Sequence, residues 1–368
     1  MTIVIALHWC AQQGLQWKRA HIFWPKTMEK KIVTLALQGG GSHGAFTWGV
    51  LDRLLEDERI NIEGISGASS GAVNAVVLAH GFTVNGRDGA RQALKDLWES
   101  VASKAPFTFI PDELSNLADI ETRTSNSLTL NLYLSLARFF SPYQLNPFNA
   151  NALRDILVDQ LDFERLRSEC RMNLFIATTR VSTGTLKLFR NEQLTLDVLL
   201  ASTCLPSVHH SIEIDGEIYW DGGLTANPPI FPLLRHCDKG DVIAVLLHPW
   251  RRPDNPESAD DIWHRLTEIS FSASFFTELQ GLALAGQEAR RSLFPFGRVE
   301  RRLRQLKLHV IDAQELMSQL SNLSKLNNHP AFIKALHDEG RRRAGMWLEQ
   351  SFRFLGRRSS FDVATFLP

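Results

Sequence analysis

The chain has 368 residues, 44% of them hydrophobic and 22% charged, which excludes a largely disordered chain, a collagen-like repeat and a coiled-coil rod. Lys plus Arg and Asp plus Glu number 40 each, so the formal net charge is zero, which argues against a protein built to hold nucleic acid. Cys10, Cys170, Cys204 and Cys237 form no CxxC pair; neither a zinc site nor a disulfide framework is expected, and the reducing cytoplasm is the expected compartment. No apolar run approaches the ~20 residues of a bilayer-spanning helix. The short apolar stretch at residues 3–7 lacks the basic region of a signal peptide, and residues 1–30 read as an N-terminal extension.

Residues 32–37, a short run of β-branched and apolar residues, predict a buried parallel strand. Gly39-Gly40-Gly41-Ser42-His43-Gly44 follows, and then apolar residues at helical spacing through Leu55. A second strand at 62–66 leads into Gly67-Ala68-Ser69-Ser70-Gly71 and a helix through Leu78. Strand, glycine loop, helix, strand, sharp turn and helix in succession imply a parallel sheet covered by helices. Another helix is predicted over 89–102. Residues 104–148, mixing Phe107, Phe109, Phe139 and Phe140 with polar residues, read as an insertion able to roof a pocket or to complete the core.

Strands resume at 173–178 and 185–189, with a helix near 194–201. Residues 212–220 predict a hairpin turning on Asp215-Gly216. A buried strand at 242–247, a long helical pattern at 262–291, a late strand at 306–311 and a terminal helix at 331–354 complete the chain.

Gly67-x-Ser69-x-Gly71 sits where a nucleophile elbow requires it, between a strand and a helix. The turn is strained, flanking glycines relieve crowding, and the helix N-terminus favours developing negative charge. Ser66 and Ser70 lack this glycine frame, so Ser69 is the expected nucleophile. The backbone N–H groups of Gly39, Gly40 and Gly41 can serve an oxyanion hole. A phosphate fits the same loop, and Gly39-x-Gly41-x-x-Gly44 also matches a dinucleotide fingerprint, but the acidic residue that fingerprint wants is absent from the end of the second strand, where Glu63 lies too early.

A serine needs a base. His209, His210, His236, His248 and His309 follow it in sequence, and none lies in a glycine-framed loop. Asp221-Gly222-Gly223 directly follows the hairpin, which already has its turn, and a carboxylate beside the serine can take its proton directly.

These three motifs in this order resemble the patatin-like phospholipase family, in particular its bacterial members, over residues 31 to about 250. The resemblance implies a three-layer α/β/α fold and hydrolysis of lipid acyl esters by a Ser–Asp dyad, with no metal or other cofactor. It implies Ser69 as nucleophile, Asp221 as proton acceptor, Gly39–Gly41 as oxyanion hole, and Gly44, Gly67, Gly71, Gly222 and Gly223 as supporting motif positions. The substrate it implies is a phospholipid, with peripheral membrane contact and no nucleic acid. Residues 31–254 then form the catalytic domain and 255–368 a mainly helical C-terminal region packed on it.

His43 occupies a position where the family often has Arg or Lys, so a fixed charge is expected to become a titrating one. Arg290, Arg291, Arg298, Arg301, Arg302, Arg304 and Lys307, with Phe294 and Phe296 among them, form a basic cluster that suits anionic headgroups or is simply a solvated helix face. The rival functions are a catalytically silent protein that binds phosphate or a lipid headgroup, and a Ser–His–Asp esterase.

Overall fold

A computed structural model describes residues 30–104, 139–238, 240–252, 255–291 and 297–362. The expected N-terminal extension and most of the expected insertion (105–138) lie outside these residues, as do Phe294 and Phe296. Residues Lys31–Pro368 form one compact unit.

The sheet has eight strands: β1 (Lys31–Leu37), β2 (Ile60–Gly67), β3 (Asn173–Arg180), β4 (Thr185–Arg190), β5 (Ile212–Ile214), β6 (Glu217–Asp221), β7 (Asp241–Val245) and β8 (Lys307–Ile311). The order is β5-β6-β3-β2-β1-β7-β8, with β4 paired to β3. β3, β2, β1, β7 and β8 run parallel, while β4 and β6 are antiparallel to β3.

β1 and β7 read as largely apolar runs because both of their faces are covered. From β1, Val33, Leu35 and Leu37 enter one core while Ala36 enters the other; β7 divides in the same way, Ile243 and Val245 against Val242 and Ala244. The first core is roofed by α1 (Gly44–Glu56), α2 (Ser70–Ser103), α3 (Ala152–Gln160) and α5 (Leu196–Ser202), with α4 (Phe163–Glu169) at its margin. The second lies under α6 (Phe231–His236) and α7 (Ala259–Arg291). Helices on both faces of a mostly parallel sheet give the expected α/β/α layering.

α2 joins two segments the sequence separates, through Leu78 and over 89–102. Asn85 and Gly86 leave helical geometry between them, Gly86 at φ +58°. Among the described residues, α3, α4, α6 and the four-residue helix Gln314–Met317 carried no sequence expectation, and α8 (Arg298–Gln305) carried only the alternative of a solvated helix face.

The region beyond residue 254 is woven into this body. β8 extends the parallel sheet, and α9 (Pro330–Ser351) lies against α1, the helix that carries the glycine loop. The two approach backbone to backbone at reciprocal glycines: a Cβ on Gly49 would fall 1.9 Å from the His337 carbonyl oxygen, and one on Gly340 2.1 Å from that of Phe46.

Part of the basic cluster is engaged within the fold. Arg302 bonds Asp238 at 2.8 Å and the Leu234 carbonyl at 2.9 Å, while Arg304 donates to the Ala289 carbonyl. Lys307 opens β8, so it lies at the end of the parallel strands opposite to Ser69, which follows the last residue of β2.

Candidate active site

Ser69 occupies the turn between β2 and α2 with φ +53° and ψ −128°, a conformation that costs a non-glycine residue roughly 1–3 kcal/mol. The turn is too tight for side chains at its flanks. A Cβ on Gly67 would fall 2.6 Å from the Gly71 carbonyl, and one on Gly71 2.2 Å from the Leu37 oxygen. The Ser69 N–H donates to Ser202 Oγ at 3.1 Å, which ties the elbow to the end of α5.

Asp221 closes β6 with no exposed surface. Its Oδ1 accepts from the Gly223 N–H at 2.7 Å, capping the turn at Gly222–Leu224. Oδ2 is buried and meets no donor in bonding alignment. The Ser69 hydroxyl is nonetheless near enough to favour the charged carboxylate. Burial is the dominant influence and pushes the Asp221 pKa up to about 7, against the Gly223 and Ser69 interactions.

Two of the three glycine amides expected in an oxyanion hole are already engaged by side chains of the fold. The Gly39 N–H donates to Asn227 Oδ1 at 2.6 Å and the Gly40 N–H to Ser70 Oγ at 3.0 Å. Gly41, at φ +59°, and Ser42 line the same cavity as Ser69. Gly44 opens α1 against Ser70 and Trp98.

Two buried side chains that the sequence analysis passed over hold this loop. Gln38 Oε1 accepts from the Leu247 and His248 amides at 2.6 and 2.9 Å, and its Nε2 donates to the Asn227 carbonyl at 3.1 Å. Asn227 in turn reaches Gly39 and, through Nδ2, the Phe271 carbonyl at 3.1 Å. Neither residue type is a motif; only their position, one residue before the glycines and four after Gly223, marks them.

His43 is buried and its ring is not a titrating charge near neutrality. Burial, reinforced by the neighbouring Lys325, brings its pKa down to about 3. The expectation of a titrating substitute for a basic residue is therefore corrected: desolvation keeps this imidazole neutral.

The cavity beside Ser69 has a volume of about 300 Å³, with Val73, Leu97, Val101, Ile156, Leu205 and Val208 among its walls. Among the candidate histidines only His209 lines it. Among the described residues no carboxylate partners the His209 ring; burial lowers its pKa and His210 adds to the effect. His210 bonds the Pro142 carbonyl, His236 stacks on Phe175, and His309 pairs with Asp241 and Ser360. His248 is buried, with neither ring nitrogen bonded. Among the described residues, no group of three or more His, Cys, Asp or Glu could hold a metal ion, and no helix is long and apolar enough to cross a membrane.

Residues 35–234 match the model of the patatin-like phospholipase family. The chain belongs to that family. A similar protein is the uncharacterized protein R571 of Acanthamoeba polyphaga mimivirus, 26% identical over 212 residues, which are 56% of this chain and 62% of that protein. The match thus spans less than two thirds of that relative's length, and the relative is viral, so it lends nothing to a specifically bacterial assignment. The crystal structure of VipD from Legionella pneumophila aligns with a TM-score of 0.40 at 16% identity, covering 87% of this chain and 67% of VipD, a likeness too slight to bear on function.

Proposed function

We propose that this patatin-like protein is a lipid acyl hydrolase in which Ser69 is the nucleophile and Asp221 its general base. One observation carries the reading: a serine held at positive φ on a strand-to-helix elbow lies beside a fully buried carboxyl group, at the wall of an apolar cavity. Family membership supports the class of reaction.

In the proposed cycle Asp221 takes the Ser69 proton as Oγ attacks the ester carbonyl carbon. The oxyanion is met by the cavity-facing end of the glycine loop, Gly41 first. Gly40 can join by exchanging its bond to the Ser70 hydroxyl, whereas Gly39 is committed to buried Asn227. Collapse breaks the carbonyl–alkoxide bond, and protonated Asp221 returns the proton to the leaving alcohol. A water then gives its proton to Asp221 and attacks the acyl-enzyme; collapse frees the fatty acid and restores the Ser69 hydroxyl. A carboxyl pKa near 7 suits both directions of transfer at neutral pH. No metal or other cofactor enters this cycle.

The apolar walls fit an acyl chain better than a headgroup, and phospholipid is the proposed substrate class. Phe139 and Phe148, 83% and 93% exposed, precede the rim residues Ala150 and Asn151 and are the surface we assign to lipid contact. The basic residues from 290 to 307 are not assigned that role, since Lys307 lies at the other end of the strands. Release of labelled fatty acid from phospholipid vesicles tests the reading: wild type should be active, and folded Ser69→Ala and Asp221→Asn should each lose at least about 10³-fold. Equal activity in wild type and Ser69→Ala would refute it.

A histidine-dependent esterase is favoured by one observation, the presence of His209 at the cavity wall. Folded His209→Ala decides it, since a catalytic base there would be as indispensable as Ser69.

A further inference from the structure

Three successive residues of the glycine loop are held by one short segment more than 280 positions away. The Ser42 hydroxyl donates to Asn328 Oδ1 at 2.6 Å, and His43 Nε2 lies 2.7 Å from Ser324 Oγ. Between them the Lys325 carbonyl packs on Gly41, where a Cβ would fall 2.2 Å from its oxygen. Ser324 and Lys325 belong to the 3-10 turn Asn322–Leu326, and Lys325, Leu326 and Asn328 also line the cavity of Ser69. The segment lies outside residues 35–234.

The bonding pattern fixes the state of His43. The Ser324 hydroxyl proton is already given to the Ser321 carbonyl at 2.6 Å. Ser324 Oγ must therefore accept from His43 Nε2–H, which leaves Nδ1 unprotonated. Nδ1 is buried and without a hydrogen-bond partner, so a second proton there would be desolvated and close to Lys325, which together outweigh the attraction of Glu268. A neutral ring with one donated bond is a positional anchor and carries no charge to the substrate.

We propose that residues 324–328 are positioning residues for the catalytic glycine loop, holding Gly41 and Ser42 where their backbone meets the oxyanion. This rests on the reading of Ser69 as nucleophile. An oxyanion donor counts only if it is placed before the charge appears, and a misplacement of about 1 Å can cost roughly 10²-fold in rate. In the proposed cycle the donors met first lie at the cavity-facing end of the loop, Gly41 and beside it Ser42, the residues this segment touches, while Gln38 and Asn227 secure its other end.

The test uses the full-length protein carrying Ser324→Ala, Asn328→Ala, both, or Asn328→Asp, whose carboxylate still accepts from Ser42. Turnover of a soluble p-nitrophenyl ester is read together with inhibition by an alkyl trifluoromethyl ketone, which forms a tetrahedral oxyanion on serine, and by the alcohol of equal chain length, which does not. The double change should lower kcat about 10²-fold with KM within about twofold. Ketone inhibition should weaken in parallel, alcohol inhibition should hold, and Asn328→Asp should retain most turnover. If the double variant fails to fold, each single change is judged by the same readouts, with about a tenfold kcat loss expected. Folded variants with unchanged kcat, or with ketone and alcohol inhibition weakened equally, overturn the proposal. Ser69→Ala separates the two claims: if it is as active as wild type, the nucleophile reading fails and the proposal with it. If it is inactive while the segment variants turn over normally, the positioning proposal alone fails.

Discussion

Ser69 and Asp221 are brought together along one edge of β3. β4 pairs with that strand from Phe175 to Arg180, so β2 and β6 share its remaining edge, entering from opposite directions. β2 leaves at Gly67, paired with Ile176, and β6 ends at Asp221, paired with Thr178. Two residues of β3 span about 7 Å, and into that interval the elbow at Ser69 and the buried carboxyl group both fall.

As the proposed general base, the Asp221 carboxyl group would set the acidic limb of the pH profile. Only its ionised form can take the Ser69 proton, so kcat/KM should rise with pH through about 7 and then level. Folding stability runs the other way. The unfolded carboxyl loses its proton near 3.8 and the folded one near 7, so this group's favourable contribution is complete below 3.8 and is lost by about pH 7. Asp221→Asn should therefore melt higher than wild type at pH 8, with the gap closing towards pH 4. A mutant that melts lower at pH 8 contradicts the assigned environment.

Ser69 should be replaceable with a gain in stability. Ser69→Ala retains the positive-φ cost, whereas Ser69→Gly relieves it, offset in part by the flexibility glycine adds to the unfolded chain. Glycine is expected to be about 1 kcal/mol more stable than alanine by urea denaturation. Equal stabilities would mean that the elbow is not strained.

His43 should respond to charge more than to shape. A cation buried there would be stripped of water and face Lys325, a cost that the attraction of Glu268 offsets only in part, so His43→Lys should destabilise by roughly 3 kcal/mol or more. His43→Gln, with an amide able to donate to Ser324, should cost less than half of that. Chemical denaturation of the two variants at pH 7 decides it; equal losses would show that the site reads volume and not charge.

His209 is the discriminating histidine. Folded His209→Ala should keep kcat within about tenfold of wild type, because a wall residue affects substrate fit and not proton transfer. A loss approaching that of Ser69→Ala would transfer the role of base from Asp221 to His209.

The parts of this site legible in the sequence are those where backbone geometry demands a residue type. Gly67 and Gly71 announce the elbow because side chains there would collide with neighbouring backbone, and the apolar runs of β1 and β7 announce a sheet covered on both faces. What stayed illegible depends on distant pairing. Asn227 and Gln38 are ordinary amides until the fold stacks one against Gly39 and the other against Leu247 and His248. The roles of Ser324 and Asn328 depend on α9 laying its N-terminal approach across the glycine loop. The neutrality of His43 required knowing its burial, which a residue between glycines does not disclose.

The central claim is that Ser69 is a nucleophile, and covalent labelling tests it most directly. The full-length protein would be incubated with an alkyl fluorophosphonate and its peptides mapped by mass. The account predicts stoichiometric modification of Ser69, none in Ser69→Ala, and strongly slowed labelling in Asp221→Asn. An unlabelled wild-type Ser69, or a label on another residue, would contradict it.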